Sequence, residues 1–189
     1  MLFKGRWVLG LLSAVVAVLV SACSPAPVGS GAEQGKPDAV TLGWYEVKGS
    51  PEVALPPGDP ISDADWNTAT PWILINFWAS TCGPCRAEIP ELNELSKANF
   101  IQVLGVSRDQ FVKYAREFED EVGAEFPSWM DSDGKYSESF VKHLPRNGLP
   151  VSVLVHQGEL VAVHLGPIKS SSAVPDFIAS TERSDPARQ

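Results

Sequence analysis

Seven residues, Trp72-Ile73-Leu74-Ile75-Asn76-Phe77-Trp78, are apolar at every position but one, and a helical pattern opens a few residues beyond them. A run so short and continuous reads as one strand with no side to turn toward water, so it must be covered on both faces. Between strand and helix stands Cys82-Gly83-Pro84-Cys85, and the helical spacing then continues through Arg86-Ala87-Glu88-Ile89-Pro90-Glu91-Leu92-Asn93-Glu94-Leu95. The first sulfur is therefore placed where a strand ends and a helix begins. Unpaired backbone N–H groups and the helix dipole favour negative charge there. Thiolate is such a charge and is the reactive form of cysteine, so the pair points to electron exchange.

Around this centre, strand and helix signals alternate. Val40 to Val47 predicts an N-terminal strand, followed by a Pro-rich connection over Ser50 to Thr70 with a short turn around Ser62 to Trp66. The central helix is expected over Cys82 to Ala98 and a second strand over Phe100 to Ser107, completing a βαβ unit of right-handed crossover. Phe111, Tyr114, Ala115, Phe118 and Val122 recur at helical spacing, which predicts an amphipathic helix from Asp109 to Val122. Asp131-Ser132-Asp133-Gly134 reads as a turn and Tyr136 to His143 as a short helix. Val151 to His156 and Glu159 to Leu165, joined at Gln157-Gly158, read as a hairpin, and Ser172 to Thr181 as a closing helix. The fold class is α/β, with a mixed central sheet flanked by helices on both faces.

The ends differ in character. Lys4 and Arg6 precede a 14-residue apolar stretch, Trp7 to Val20, and Val20-Ser21-Ala22-Cys23 follows. The stretch falls short of the ~20 residues that span a bilayer, so residues 1–22 read as a cleaved export signal. Val-Ser-Ala-Cys resembles a bacterial lipoprotein box, in which Cys23 is acylated and becomes the new N-terminus. Ordinary cleavage nearby, leaving Cys23 a free thiol, is the alternative. The 3 cysteines favour acylation, because it removes the odd thiol and leaves one clean pair. Residues 23–37 read as a flexible tether, 38–183 as the domain and 184–189 as a frayed tail. Loss of Lys4 and Arg6 takes the formal charge from −8 to −10, which argues against nucleic acid as a partner.

Other uses of the cysteine pair fit less well. A purely stabilising disulfide closing so short a ring is worth only about 2 kcal/mol, against ~3 for a 15-residue loop. Zinc lacks a second C-x-x-C or paired histidines to complete four ligands. A Cu(I)-binding assembly factor lacks a Met or His cluster beside the sulfurs, and His143, His156 and His164 are scattered surface or strand residues.

The segment from Phe77 to Pro90, Phe-Trp-Ala-Ser-Thr-Cys-Gly-Pro-Cys-Arg-Ala-Glu-Ile-Pro, resembles the active-site segment of the thioredoxin superfamily. More narrowly it resembles the exported TlpA/ResA-type thiol-disulfide oxidoreductases, over roughly Val40 to Thr181. Gly148-Leu149-Pro150 falls where that family has its cis-proline loop.

The resemblance implies roles for particular residues. Cys82 is the attacking thiolate and Cys85 the resolving thiol. Pro150 is a cis-proline beside the sulfurs, or in the plainer reading a trans-proline starting a strand. Leu149 then offers its backbone to an extended substrate, with Thr81, Gly83 and Pro84 completing the contact surface. Thr81 replaces a common Trp, so that surface is smaller and more polar. Glu88 matches an acidic residue beneath the disulfide that helps move a proton, although a solvated helix residue is the bland reading. Asn76 stands where thioredoxin has a buried aspartate and cannot titrate. Arg86 reads as an exposed surface arginine, and Trp78 as core wall beside the site.

No dissociable cofactor and no metal are implied, because the sulfurs hold the electrons. The expected partners are a cysteine-containing client protein and a membrane thiol-disulfide electron donor. The chain is expected to be a monomer, lipid-anchored at the outer face of the bacterial cytoplasmic membrane. The resemblance favours a reductant, as in cytochrome c maturation, over an oxidant of secreted thiols.

Overall fold

A computed structural model describes residues 41–49, 51–62, 64, 70–140 and 148–185. The expected export signal, Cys23, the expected tether, most of the turn around Ser62 to Trp66, and residues 141–143 of the expected Tyr136–His143 helix lie outside these residues; the helix described there, Lys135–Glu138, ends before them.

In chain order the elements are β1 (Gly43–Glu46), β2 (Trp72–Trp78), α1 (Gly83–Ser96), β3 (Ile101–Ser107), α2 (Val112–Val122), β4 (Ser128–Met130), α3 (Lys135–Glu138), β5 (Val151–His156), β6 (Glu159–Leu165) and α4 (Ala173–Ser184). The strands form one six-stranded sheet among the described residues, in the order β1-β6-β5-β2-β3-β4. β2 pairs parallel with β3, and β3 with β4, whereas β2–β5, β5–β6 and β6–β1 are antiparallel. The sheet is mixed, as expected, with the apolar run at its centre.

Every residue of β2 is buried, and alternate side chains enter two different cores. Trp72, Leu74 and Trp78 join Cys85, Ile89, Leu92 and Leu95 of α1, Ala115 and Phe118 of α2, and Val174 and Ile178 of α4. Ile73, Ile75 and Phe77 enter the opposite core with Trp129, Phe140 and Val153, which Val53, Leu55 and Tyr136 help to close. The Pro-rich connection therefore lids the second core instead of running free. The strand's period of two carries Asn76 to the α1 face as well.

Backbone approach is closest at Gly105. A Cβ there would lie 2.2 Å from Ser128 Oγ and 2.8 Å from Trp78 Nε1, so no larger residue fits beside β4. The β5–β6 hairpin closes through Gln157 and Gly158 at φ of 51° and 86°, the paired positive values that a tight two-residue turn needs.

Three expectations are corrected. β4 was not predicted, because three residues are too few to display a period. β1 is shorter than Val40 to Val47. α2 begins at Val112 and not at Asp109, and Phe111 and Tyr114 are exposed at 65% and 50%. Asp109 leaves the helix because its carboxylate is engaged elsewhere: Oδ2 accepts from Ser80 N and Ser107 Oγ at 2.9 Å each, and Oδ1 from Ser80 Oγ at 2.7 Å.

Candidate active site

The sulfurs lie at the C-terminal end of β2, where the chain turns into α1. Cys82 is the N-cap, with an extended backbone at φ −89° and ψ 102°, and its Sγ accepts the Cys85 N–H at 3.1 Å. The helix's first turn holds no acidic side chain, so nothing there repels a thiolate. Pro84 sits within that turn, where its missing N–H costs nothing. Pro90 lies inside the helix, which continues through it to Ser96.

Cys82 and Cys85 are bonded, with Cα atoms 5.2 Å apart, yet their surroundings differ. Cys82 is half-buried and flanked by exposed Thr81, Gly83 and Pro84, whereas Cys85 is fully buried. Only the first sulfur can meet a macromolecular partner before the pair opens. Its loop is pinned from across the sheet: Asp109 holds Ser80 as described, Arg108 N donates to Trp78 O at 2.8 Å, and Cys82 N to Ala79 O at 2.9 Å. Asp109 and Ser80 were not picked out from the sequence, since a serine–aspartate clasp across 29 residues leaves no local pattern.

Glu88, one helical turn beyond Cys85, is 1% exposed, which removes the solvated reading. Its Oε1 accepts from Asn76 Nδ2 at 2.9 Å and its Oε2 from Ile168 N at 2.9 Å. Burial drives its pKa up to about 7, against the opposing pull of the Ile168 N–H and the Asn76 amide. Asn76 also donates to Ser152 Oγ on β5 at 3.0 Å. Ser152 and Ile168 went unnoticed in the sequence. A serine inside the run Val151 to His156, level with an asparagine inside another apolar run, is the signal that was there to find. A backbone donor such as Ile168 N leaves no signal.

The Leu149–Pro150 peptide bond is cis, and Pro150 is buried. Leu149 is half-buried and packs against the core that contains Cys85, as does Cys82. Arg86 is exposed, as expected, pairing with Glu121 at 2.9 Å and lying 5.0 Å over the Phe118 ring. Phe118 stacks on buried Trp78 with centroids 4.8 Å apart. His156 and His164 are strand residues, both nearly buried. Among the described residues no group of three or more His, Cys, Asp or Glu side chains could hold a metal ion.

The AhpC/TSA family model matches residues 50–162, more than half the chain and inclusive of both sulfurs. The chain belongs to the AhpC/TSA family. It is similar to the thioredoxin-like protein YneN of Bacillus subtilis, 28% identical over 142 residues, covering 66% of this chain and 81% of that one. It is 35% identical over 97 residues to the thiol:disulfide interchange protein HelX of Rhodobacter capsulatus, covering 50% and 53%. Over 98 residues it is 26% identical to the thiol-disulfide oxidoreductase ResA of Halalkalibacterium halodurans, again covering 50% and 53%. The chain thus spans about half the length of these last two relatives. A Chlorobium tepidum crystal structure described as a thiol:disulfide interchange protein DsbE superposes with a TM-score of 0.52 at 27% identity, covering 67% of this chain and 98% of that one. The fold is thioredoxin-like and of TlpA/ResA type. With a bonded C-x-x-C pair in that fold, this AhpC/TSA-family chain is a thiol-disulfide oxidoreductase.

Proposed function

We propose that this oxidoreductase is exported, held at the outer face of the cytoplasmic membrane through acylated Cys23, and works as a reductant of disulfides in a partner protein. The observation that carries the exchange chemistry is the asymmetry of the sulfurs: a half-exposed Cys82 at a helix N-terminus, and a buried Cys85 one turn from a buried carboxyl.

The steps balance as follows. In the reduced protein the Cys82 thiolate attacks a client disulfide, forming a mixed disulfide and releasing one client thiolate. Cys85 gives its proton to Glu88 and, as thiolate, attacks the Cys82 sulfur. The second client thiolate leaves, and two electrons have passed to the client. The Cys82–Cys85 disulfide left behind is then reduced back to two thiols by a dithiol donor at the membrane, which becomes a disulfide in turn. Leu149 ahead of Pro150, with Thr81, Gly83 and Pro84, provides the surface along which an extended client segment lies.

Two features support the reducing direction: Gly-Pro between the cysteines, shared with thioredoxin, and the resemblance to TlpA/ResA-type proteins. That resemblance also suggests the client, the haem-binding cysteines of apocytochrome c or the copper-site cysteines of an oxidase assembly factor. Equilibration of the Cys82–Cys85 couple in thiol buffers tests the direction. A potential near thioredoxin's, about −270 mV, supports a reductant; one near −120 mV makes the protein an oxidant. Detergent phase partitioning and the mass of the mature N-terminus test the anchor, and an unmodified Cys23 removes it from the account.

A further inference from the structure

Asn76 sits in mid-strand on β2, with Gly105 level with it on β3 and Ser152 on β5, and its side chain has no exposure to solvent. Both hydrogens of its Nδ2 are used in the oxidised protein, one by Glu88 Oε1 and one by Ser152 Oγ. Its Oδ1 is equally buried and has no partner among the described residues. Folded proteins seldom leave a buried amide oxygen bare. The anomaly makes sense if the same oxygen is used in a second state.

Glu88 has such a state. Its Oε2 is occupied by the Ile168 N–H, so an added proton belongs on Oε1, the oxygen facing Asn76. The carboxyl O–H would then meet the amide N–H, donor against donor. Half a turn about the terminal bond of Asn76 exchanges Oδ1 with Nδ2 at almost constant shape, moving the N–H₂ group to the place where Oδ1 was bare and relieving the clash of O–H with N–H. Oδ1 then faces both the Glu88 O–H and the Ser152 O–H, and its two lone pairs match the two donors. Ser152 makes both arrangements possible, because a hydroxyl accepts in one and donates in the other.

We propose that Asn76 and Ser152 form an amide switch that follows the proton on Glu88, presenting N–H to the carboxylate and C=O to the carboxylic acid. Asn76 is thereby the positioning residue for that proton. The switch rests on the reading of Glu88 as the dithiol's proton carrier. Other ionisable groups stand clear of it. On α1, Cys85 is tied in the disulfide, Arg86 turns to Glu121, and Glu91 accepts the Ser171 N–H. On β6, His164 packs on Trp44 and bonds the Gly166 carbonyl. β2 and β5 offer the neutral amide and hydroxyl at this level, with His156 at the far end of β5 packed on Trp72; α4 offers apolar Val174 and Ile178, and Lys169 after β6 is exposed.

Nuclear magnetic resonance of the full-length oxidised protein tests the switch, since no thiol then titrates. The Asn76 side-chain amide signals should move with the same midpoint as the Glu88 carboxyl carbon between pH 5 and 9. The cross-peak from the Asn76 amide protons to Ser152 Hβ should fall several-fold below that midpoint. Glu88→Gln presents an N–H₂ group instead, so the cross-peak should be weak at every pH. Ser152→Ala strands one amide hydrogen only in the ionised state and should raise the Glu88 midpoint by roughly half to one pH unit, with Ser152→Thr restoring it. A cross-peak that persists through the Glu88 titration, a carboxyl that never titrates in this range, or an unmoved or lowered midpoint in Ser152→Ala overturns the switch. Failure of the underlying reading looks different: Glu88→Gln would then resolve mixed disulfides at the parent rate, whatever the amide does.

Discussion

Two glutamates lie buried under the same core, Glu88 on α1 and Glu119 on α2, at 1% and 8% exposure. Burial is the main force raising the pKa of each. Their neighbours differ. Glu88 has a donor on each oxygen and a sulfur one turn away on its own helix. Glu119 has an unpartnered Oε1, with the Ser128 hydroxyl and Arg116 opposing the shift and Asp120 adding to it. A perturbed carboxyl alone does not mark a working acid. Placement against the reacting atoms does.

The largest expected effect that would break this contrast is kinetic. Glu88→Gln should slow resolution of the mixed disulfide on the order of 100-fold near pH 7, whereas Glu119→Gln should leave it within about twofold. Stopped-flow fluorescence of the tryptophans can follow both. Equal slowing, or none in either, removes the special position of Glu88.

Stability against pH is the next test. A carboxyl whose folded pKa is raised stabilises the fold fully below its unfolded value of 4.5, and this contribution is lost as pH rises through about 7. For Glu88 the loss is roughly 3 kcal/mol. Denaturant melts of Glu88→Gln should therefore lack most of the decline that the parent shows between pH 4.5 and 8. Glu119→Gln should remove a further part of the decline in the same direction.

Asp109→Asn sharpens the contrast from another side, since this carboxylate accepts three hydrogen bonds and carries no proton in the scheme. Disrupting the clasp on Ser80 should destabilise the fold by about 1–3 kcal/mol, without changing the pH at which exchange rates turn. A shifted rate profile would make Asp109 part of the proton path. The smallest effect belongs to Arg86→Ala. The exposed pair with Glu121 should be worth about 0–1 kcal/mol, and exchange with client should keep its rate.

What the sequence disclosed follows from how local each feature is. The β2 run, the Cys82 cap and the Gln157-Gly158 hairpin are each written in adjacent residues, and the structure places elements there. β4 is too short to carry a period. Phe111 and Tyr114 matched helical spacing but are exposed, Phe111 as the cap before a helix that begins only at Val112, since Asp109 is held by Ser80 and Ser107, and Tyr114 on the helix's outer face. Glu88 could be read two ways from α1 alone, since nothing in the helix announces that Ile168, 80 residues later, will close over it. The clasp of Asp109 on Ser80 and the triad of Asn76, Ser152 and Glu88 are products of packing, visible only once the strands are in register.

Division of labour between the two sulfurs is best tested by mass spectrometry after mixing reduced variants with a disulfide-bonded client such as insulin. Cys85→Ser should accumulate a mixed disulfide through Cys82, and Cys82→Ser should form none. An adduct through Cys85 in the Cys82→Ser protein, formed as fast as the other, would contradict the account.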